Sequence, residues 1–155
     1  MDANWGTEMS EQRSDVDVVV VGAGFAGLYL LHRLRAMGLT AQGFEAGDGV
    51  GGTWYWNRYP GARCDVESIE YSYQFDEALQ QEWSWSERYS AQPEILEYAN
   101  HVADRFDLRR DIVFETRVER AEWHESERRW HATVQPLDGQ SSTVTGRYVV
   151  AATGC

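Results

Sequence analysis

The chain has 155 residues, 43% of them hydrophobic and 25% charged, which suits one globular domain with a sizeable core. Its 14 basic and 25 acidic side chains give a formal net charge of -11. No basic stripe is available to neutralise phosphates or an anionic bilayer, which argues against nucleic-acid and membrane-surface partners.

Met1 to Ser14 is polar and aperiodic, so a flexible tail is expected before a single domain over residues 15–155. The longest apolar stretch near the start, Val18 to Val21, is far too short for a signal sequence or a membrane span. The two cysteines, Cys64 and Cys155, do not suggest a disulfide framework, and a cytoplasmic protein is expected.

Asp15 to Val21 reads as a strand. Its consecutive valines, stopped by a glycine, suit a parallel strand buried on both faces. Phe25 to Met37 reads as a helix, with leucines at helical spacing and Gly38 where a C-terminal cap belongs. Thr40 to Glu45 is the next strand, completing a βαβ unit. Ala46 to Arg63 is glycine-rich and reads as a loop, with an unusual load of aromatics in Trp54, Tyr55, Trp56 and Tyr59. The stretch from Asp65 to Tyr73 gives no clear pattern.

Pro93 to Phe106 reads as a second helix, with proline in its first turn and one apolar face. Ile112 to Phe114 suggests a short strand. Thr116 to Trp123, Trp130 to Gln135 and Ser142 to Thr145 suggest an antiparallel meander, with turns at Glu125 to Arg128 and at Asp138-Gly139. Tyr148 to Ala152 returns to the type of a buried parallel strand. The expected class is α/β: a Rossmann-type dinucleotide-binding domain with a parallel sheet and an antiparallel β-meander, interrupted at its C-terminal end.

The strongest local signal is Gly22-Ala23-Gly24-Phe25-Ala26-Gly27. It follows a strand and opens a helix, the context in which GxGxxG has meaning. Gly22 permits the tight turn, Gly24 lets the backbone approach a pyrophosphate, and Gly27 lets helix and strand pack closely. The helix N-terminus then offers free N–H groups and a positive dipole. Glu45 ends the second strand 18 residues after Gly27. Its carboxylate suits a ribose diol and would oppose a 2′-phosphate, so the site favours FAD or NAD over NADP. The plainer readings, a simple turn and a solvated strand end, leave this register unexplained.

The run Gly51-Gly52-Thr53-Trp54-Tyr55-Trp56-Asn57-Arg58-Tyr59-Pro60-Gly61-Ala62-Arg63-Cys64-Asp65-Val66-Glu67-Ser68 resembles the Baeyer–Villiger monooxygenases. The resemblance continues through Ile69-Glu70-Tyr71, Glu87-Arg88-Tyr89, Gln92-Pro93-Glu94-Ile95 and Val149-Val150-Ala151-Ala152-Thr153-Gly154. It implies FAD bound in this domain, and NADPH bound mainly in a second Rossmann-type domain that this sequence does not contain. NADPH reduces the flavin, the reduced flavin activates O2, and a ketone becomes an ester or lactone.

By the same resemblance, Glu45 holds the FAD ribose, while Gly52, Thr53, Trp54, Tyr55 and Trp56 line the pyrophosphate and flavin. Asp65 and Tyr71 contact FAD, and Val118 meets the adenine through its backbone. Arg63, Cys64 and Asp65 would meet the nicotinamide end of NADP. Phe25 belongs to the phosphate turn, and Ala152-Thr153-Gly154 to a turn closing over the cofactor. Asp65 is the catalytic candidate, as a carboxylate that holds a cationic partner near the flavin. In the family that partner is an arginine from a later segment.

Each assignment has a plainer rival. Asp65 could cap the segment starting at Val66. Trp54 and Trp56 could be loop core, and Arg58 could form a structural ion pair. Cys64 has neither a CxxC nor a histidine partner in sequence and reads as inert. His32, His101, His124 and His131 lack metal-ligand spacing, so no metal is expected. Phe25, Gly27 and His32 imitate the family fingerprint but are one residue off. An FAD-binding module without catalysis, a non-functional remnant, and an N- or S-oxygenating sibling remain alternatives. The isolated chain is expected to be inactive on ketones.

Overall fold

Four valines in succession form most of the central strand in a computed structural model that describes residues 12–154. In chain order the elements are β1 (Asp15–Val21), α1 (Phe25–Ala36), β2 (Ala41–Phe44), α2 (Thr53–Trp56), α3 (Glu77–Glu82), α4 (Gln92–Arg105), β3 (Ile112–Val113), β4 (Thr116–His124), β5 (Arg129–Pro136) and β6 (Ser142–Ala151). Short 3-10 turns lie at Ser68–Tyr71 and Arg109–Asp111. The strands form one sheet in the order β3-β2-β1-β6-β5-β4. β1 runs parallel to β2 and β6, and β2 runs parallel to β3. β4, β5 and β6 form the antiparallel meander.

β1 is buried on both faces, as its valine run requires. Val18 and Val20 pack beneath Leu28 and Leu31 of α1 and Ala99 and Ala103 of α4. Val16 and Val19 meet Phe44 of β2 and, from the meander, Ala132, Val134 and Val144. The meander therefore folds back over the face of the parallel strands opposite α1. Leu28 and Leu31 are no more than 1% exposed, and burying each stabilises the fold by roughly 1.5–3 kcal/mol. α1 ends where the sequence places its cap. Gly38 takes a φ of 73° and donates its N–H to the Arg35 carbonyl.

Three expectations change, the first being α2, a single helical turn inside the Ala46 to Arg63 stretch expected as a loop. Ser142 to Thr145 and Tyr148 to Ala152 were expected as separate strands, but they are one strand, β6. Its first half pairs with β5 and its second half with β1, with Thr145 and Gly146 paired to both. Gly146 looks like a strand break in sequence, yet it is the position where side-chain bulk would strike Val19 Cγ2 at 3.0 Å. The third change is α3, which falls in a stretch given no assignment. Its signal is Asp76, whose carboxylate accepts the Leu79 N–H at 2.8 Å as an N-cap.

Residues 1–11 and Cys155 lie outside the described residues, and with them most of the expected tail. The end of that segment is bound to the sheet. The Arg13 N–H donates to Gln42 Oε1 at 2.7 Å, and the Ser14 carbonyl accepts the Thr145 N–H at 2.9 Å. Among the described residues, no helix is long and apolar enough to cross a membrane.

Candidate functional site

A cleft of about 740 Å³ opens at the C-terminal ends of β1, β2 and β6. That size falls within the roughly 300–1,000 Å³ of small-molecule and cofactor sites. The position is the one expected for open α/β sheets, where ligands bind beyond the carboxyl ends of the strands.

Two glycine turns meet across its floor. Gly24 caps the N-terminus of α1, and Gly52 caps that of α2. A Cβ on Gly52 would lie 2.9 Å from Gly24 Cα. The loops are tied together by the Gly51 N–H, which donates to the Ala23 carbonyl at 3.0 Å. Gly22, at φ 99°, sits so close to the end of β6 that a Cβ would come 2.7 Å from the Ala152 oxygen. Gly27 serves packing rather than the cleft: its Cβ would lie 2.0 Å from the Gly22 oxygen. The backbone thus comes to the cleft without side chains at Gly22, Gly24 and Gly52, leaving a cradle for a ligand that approaches the main chain closely.

The electrostatics of this cradle favour an anion. α1 is 12 residues long, its first turn carries no acidic side chain, and no side chain caps its N-terminus. Its leading N–H groups and dipole are therefore unopposed. Glu45 lies at the cleft wall and is 5% exposed. Its two carboxylate oxygens accept the Ala23 N–H at 2.8 Å and the Gly47 N–H at 2.9 Å. Besides facing the ligand side, Glu45 thus ties the first glycine turn to the start of the loop that leads to the second.

An aromatic wall closes one side. Tyr71 packs edge-on against Phe25 and Trp54, at ring distances of 5.5 and 5.6 Å. Behind them the Tyr73 hydroxyl donates to the Phe25 carbonyl at 2.5 Å, and the Tyr98 hydroxyl accepts the Tyr73 N–H at 2.8 Å. Burial raises the pKa of both the Tyr71 and Tyr73 phenols above the usual tyrosine value, so both remain protonated donors. Gln92, at the start of α4, donates to the Trp54 carbonyl at 2.5 Å and fixes the indole-bearing turn.

Of the residues singled out from sequence, Gly22, Gly24, Phe25, Glu45, Gly52, Thr53, Trp54, Trp56, Tyr71 and Val118 line the cleft. Trp54 is both loop core and wall, at 8% exposure, whereas Trp56 is 58% exposed. Tyr55, Arg63, Cys64 and Asp65 do not line it. The Tyr55 hydroxyl donates to Asp48 at 2.5 Å, a bond that raises the pKa of the phenol, and its ring carries the Arg58 guanidinium at 4.4 Å. The Arg58 Nε–H also donates to the Tyr55 carbonyl, and among the described residues Arg58 makes no ion pair. Arg63 pairs with Glu87 at 3.0 Å and with the Tyr89 carbonyl. Cys64 is buried against Ser68 and Ser90. Asp65 is exposed and caps nothing, since Glu67 precedes the Ser68–Tyr71 turn and no side chain caps it.

Sequence reasoning missed Arg117, Glu70 and Tyr73, which also line the cleft. Arg117 is the one basic residue of that lining among the described residues. Its neighbour Val118 was the only signal available for it.

Comparison with known proteins agrees with this geometry. A family of NAD(P)-binding Rossmann-like domains matches residues 20–80. A Baeyer–Villiger monooxygenase of Pseudooceanicola batsensis is 47% identical over 142 residues, covering 91% of this chain and 25% of the relative. The chain is a homologue of the Baeyer–Villiger monooxygenases. An acetone monooxygenase (methyl acetate-forming) of Gordonia sp. is 48% identical over 139 residues, 90% of this chain and 25% of that protein. A phenazine N-monooxygenase of Lysobacter antibioticus is 42% identical over 147 residues, 94% of this chain and 26% of that protein.

Among solved structures, an oxidised steroid monooxygenase bound to NADP superposes with a TM-score of 0.86 at 60% identity, covering 90% of this chain and 26% of that one. A protein solved in complex with FAD and NADP, OTEMO, superposes with a TM-score of 0.83 at 43% identity, over 92% of this chain and 26% of that one. The chain spans about a quarter of the length of the curated relatives it matches, at 25% of each of the first two.

Proposed function

We propose that this chain supplies the FAD-binding part of a flavin-dependent Baeyer–Villiger monooxygenase, which uses NADPH and O2 to convert a ketone into an ester or lactone. The observation that carries the reading is the pair of facing glycine turns, Gly24 against Gly52, at the unopposed N-terminus of α1 and joined by the Gly51 N–H to the Ala23 carbonyl. When bound, FAD supplies the redox chemistry that accepts a hydride and activates O2.

The residues present fit that group. The N–H groups at the start of α1 receive the pyrophosphate, with Gly22 and Gly24 admitting it and Gly27 seating the helix. Glu45 accepts from the ribose diol. Val118 and Arg117 flank the adenine end, while Gly52, Thr53, Trp54, Trp56 and Tyr71 shield the side of the flavin from water. Asp65, exposed and outside the cleft lining, holds in this reading a cation brought by another part of the protein. It acts as a positioning residue through that partner. The same reading has Arg63 and Cys64 order the Ala62–Asp65 stretch against residues 87–91 and present it to the nicotinamide end of NADP, and puts the enzyme in the cytoplasm, beside a pool of reduced nicotinamide.

A second reading has one observation in its favour. The N-oxygenating relative is 42% identical over this region, close to the 47% of a Baeyer–Villiger enzyme. In that reading this region holds the flavin in either chemistry, and the acceptor is selected elsewhere.

The test is an FAD titration of the purified chain, followed by flavin fluorescence. Saturation at one FAD per chain, lost in Gly24→Val and in Glu45→Ala, supports the reading. Absence of binding by a folded monomer overturns it for the isolated chain. The chain alone is expected to oxidise no ketone, and NADPH-dependent lactone formation by these 155 residues would refute that part.

A further inference from the structure

The tip of the β4–β5 hairpin gathers His124, Glu127 and His131, whose ligand atoms all lie within 4.8 Å of one another. The hairpin register explains how residues without metal-ligand spacing meet. Trp123 pairs directly with Trp130, and Ala121 with Ala132, which is a core residue. His124 and His131 therefore share the opposite face, as diagonal neighbours on adjacent strands. Their rings stack at 3.8 Å with an interplanar angle of 14°. The turn brings in the third member. Arg128 takes a φ of 52°, the Glu127 N–H donates to the His124 carbonyl at 3.2 Å, and the Glu127 carboxylate meets His131 Nε2 at 2.7 Å.

We propose that this cluster is a binding site for a divalent transition-metal ion of borderline softness, such as Zn²⁺, Ni²⁺ or Co²⁺. The donor chemistry selects the ion. Two imidazoles and one carboxylate suit Zn²⁺ and its neighbours, whereas Ca²⁺ and Mg²⁺ want oxygen ligands. Donors on one tetrahedral ion at about 2.0–2.1 Å lie roughly 3.3 Å apart, and each imidazole must aim its lone pair in its own plane, so binding has to unstack the two rings as it draws the donors together.

Two of the three ligands stand on paired strands, which limits the ordering entropy that binding must offset. The neighbouring charges do not block the site. Glu122, opposite His131 in register, is held by Arg120, and the Arg129 guanidinium is turned toward Asp15 at 3.9 Å. Three protein ligands leave at least one position for water, on the solvent side of the hairpin. The site lies on the face of the meander away from the core, so metal binding and FAD binding are separate properties of the chain.

The test is a titration of the untagged full chain with Co²⁺, read by its d–d absorption, followed by displacement with Zn²⁺ against a chromophoric chelator. The expected result is one ion per chain, a tetrahedral or five-coordinate Co²⁺ spectrum, and binding at least about tenfold weaker in Glu127→Gln. The paired variant His124→Ala/His131→Ala loses the spectrum. Because Glu127 stands on an exposed turn, Glu127→Gln carries the test alone if the double variant fails to fold. No saturable Co²⁺ spectrum, or a spectrum unchanged in Glu127→Gln or in the folded double variant, overturns the proposal.

Discussion

Replacing Gly24 or Gly27 by alanine separates the two tasks that a glycine-rich turn performs. At Gly27 the added Cβ would lie 2.0 Å from the Gly22 oxygen. The closest C···O approaches in packed backbone are about 3.3 Å, so the helix and the turn must separate by roughly 1.3 Å. Gly22 resists the movement, because its N–H is bonded to the Phe44 carbonyl at 2.8 Å and its other flank meets Ala152. The expected cost is at the upper end of overpacking, about 3 kcal/mol. For a domain of this size that corresponds to a fall in Tm of roughly 6–12 °C.

Gly24 is different. Its φ of -76° and ψ of -169° suit any residue, and a Cβ would make an ordinary 3.4 Å contact with Gly52 Cα. Stability should stay within about 0.5 kcal/mol, helped by the lost entropy of the unfolded chain. FAD affinity should nevertheless drop at least about tenfold, or 1.4 kcal/mol, because the methyl group occupies the approach to the pyrophosphate. The assays are thermal unfolding of the FAD-free chain and flavin fluorescence titration. Equal stability losses in the two variants, or full FAD affinity in Gly24→Ala, would refute the division of labour.

Other perturbations probe the supports of the site. Glu45→Gln sets an amide N–H₂ against one of the N–H donors of Ala23 and Gly47, and should cost about 1.5–3 kcal/mol in urea denaturation as well as weakening FAD binding. Arg35 joins α1 to the segment after α4 through Asp111 at 2.6 Å and the carbonyls of Phe106 and Asp107. Asp111 is 7% exposed, so Arg35→Met should destabilise by about 1–3 kcal/mol, and an unchanged urea midpoint would count against that role.

His32 is packed between Phe75 and Phe106, and burial, with Arg33 and Arg35 adding, holds its pKa below the ordinary 6.5. A depressed histidine pKa means that the unfolded chain binds the proton more readily. The His32 contribution is thus complete above pH 6.5 and is lost as pH falls through the lower folded value. An NMR titration should give the His32 ring a midpoint below 6.5, and a midpoint above it would refute the argument.

What could be read from sequence follows from the range of the interactions. β1, α1 and β2 are specified by residues close together in the chain, so valine runs, leucine spacing and glycine punctuation placed them within a residue or two. The same holds for Gly22, Gly24, Gly27 and Glu45, whose spacing is itself the motif. Tyr55 was not legible, because alternating aromatics in one short loop do not say which ring faces the ligand. The bond to Asp48 and the stacked Arg58 turn it away from the cleft. Arg63 likewise depends on Glu87, 24 residues on, brought alongside by the start of α4. The histidine pair at the hairpin tip needed the register of β4 against β5, which the turn between the strands sets.

The continuity of β6 matters most for the site, because the cleft has walls from both halves of the sheet. Thr116, Arg117 and Val118 of β4 face the glycine turns only because the meander folds back over β1 and β2. That fold-back starts where β6 leaves β5 for β1, at Thr145 and Gly146. At Gly146 a Cβ would press on Val19 Cγ2 at 3.0 Å and on the Tyr148 oxygen at 3.1 Å, and Val19 is fully buried. Gly146→Val should therefore shift the meander against the parallel strands, at a cost of about 1–3 kcal/mol. It should also weaken FAD binding from a position outside the cleft lining. The comparison that decides is Gly139→Val, at the hairpin turn, where a Cβ would meet only Pro136 at 3.6 Å. That change strains a φ of 153° but leaves the β6 crossing alone. If both variants lose stability and only Gly146→Val loses FAD, the crossing sets the cleft. If FAD affinity is retained in Gly146→Val, the glycine turns hold the cofactor without the meander, and β4 is no part of the site.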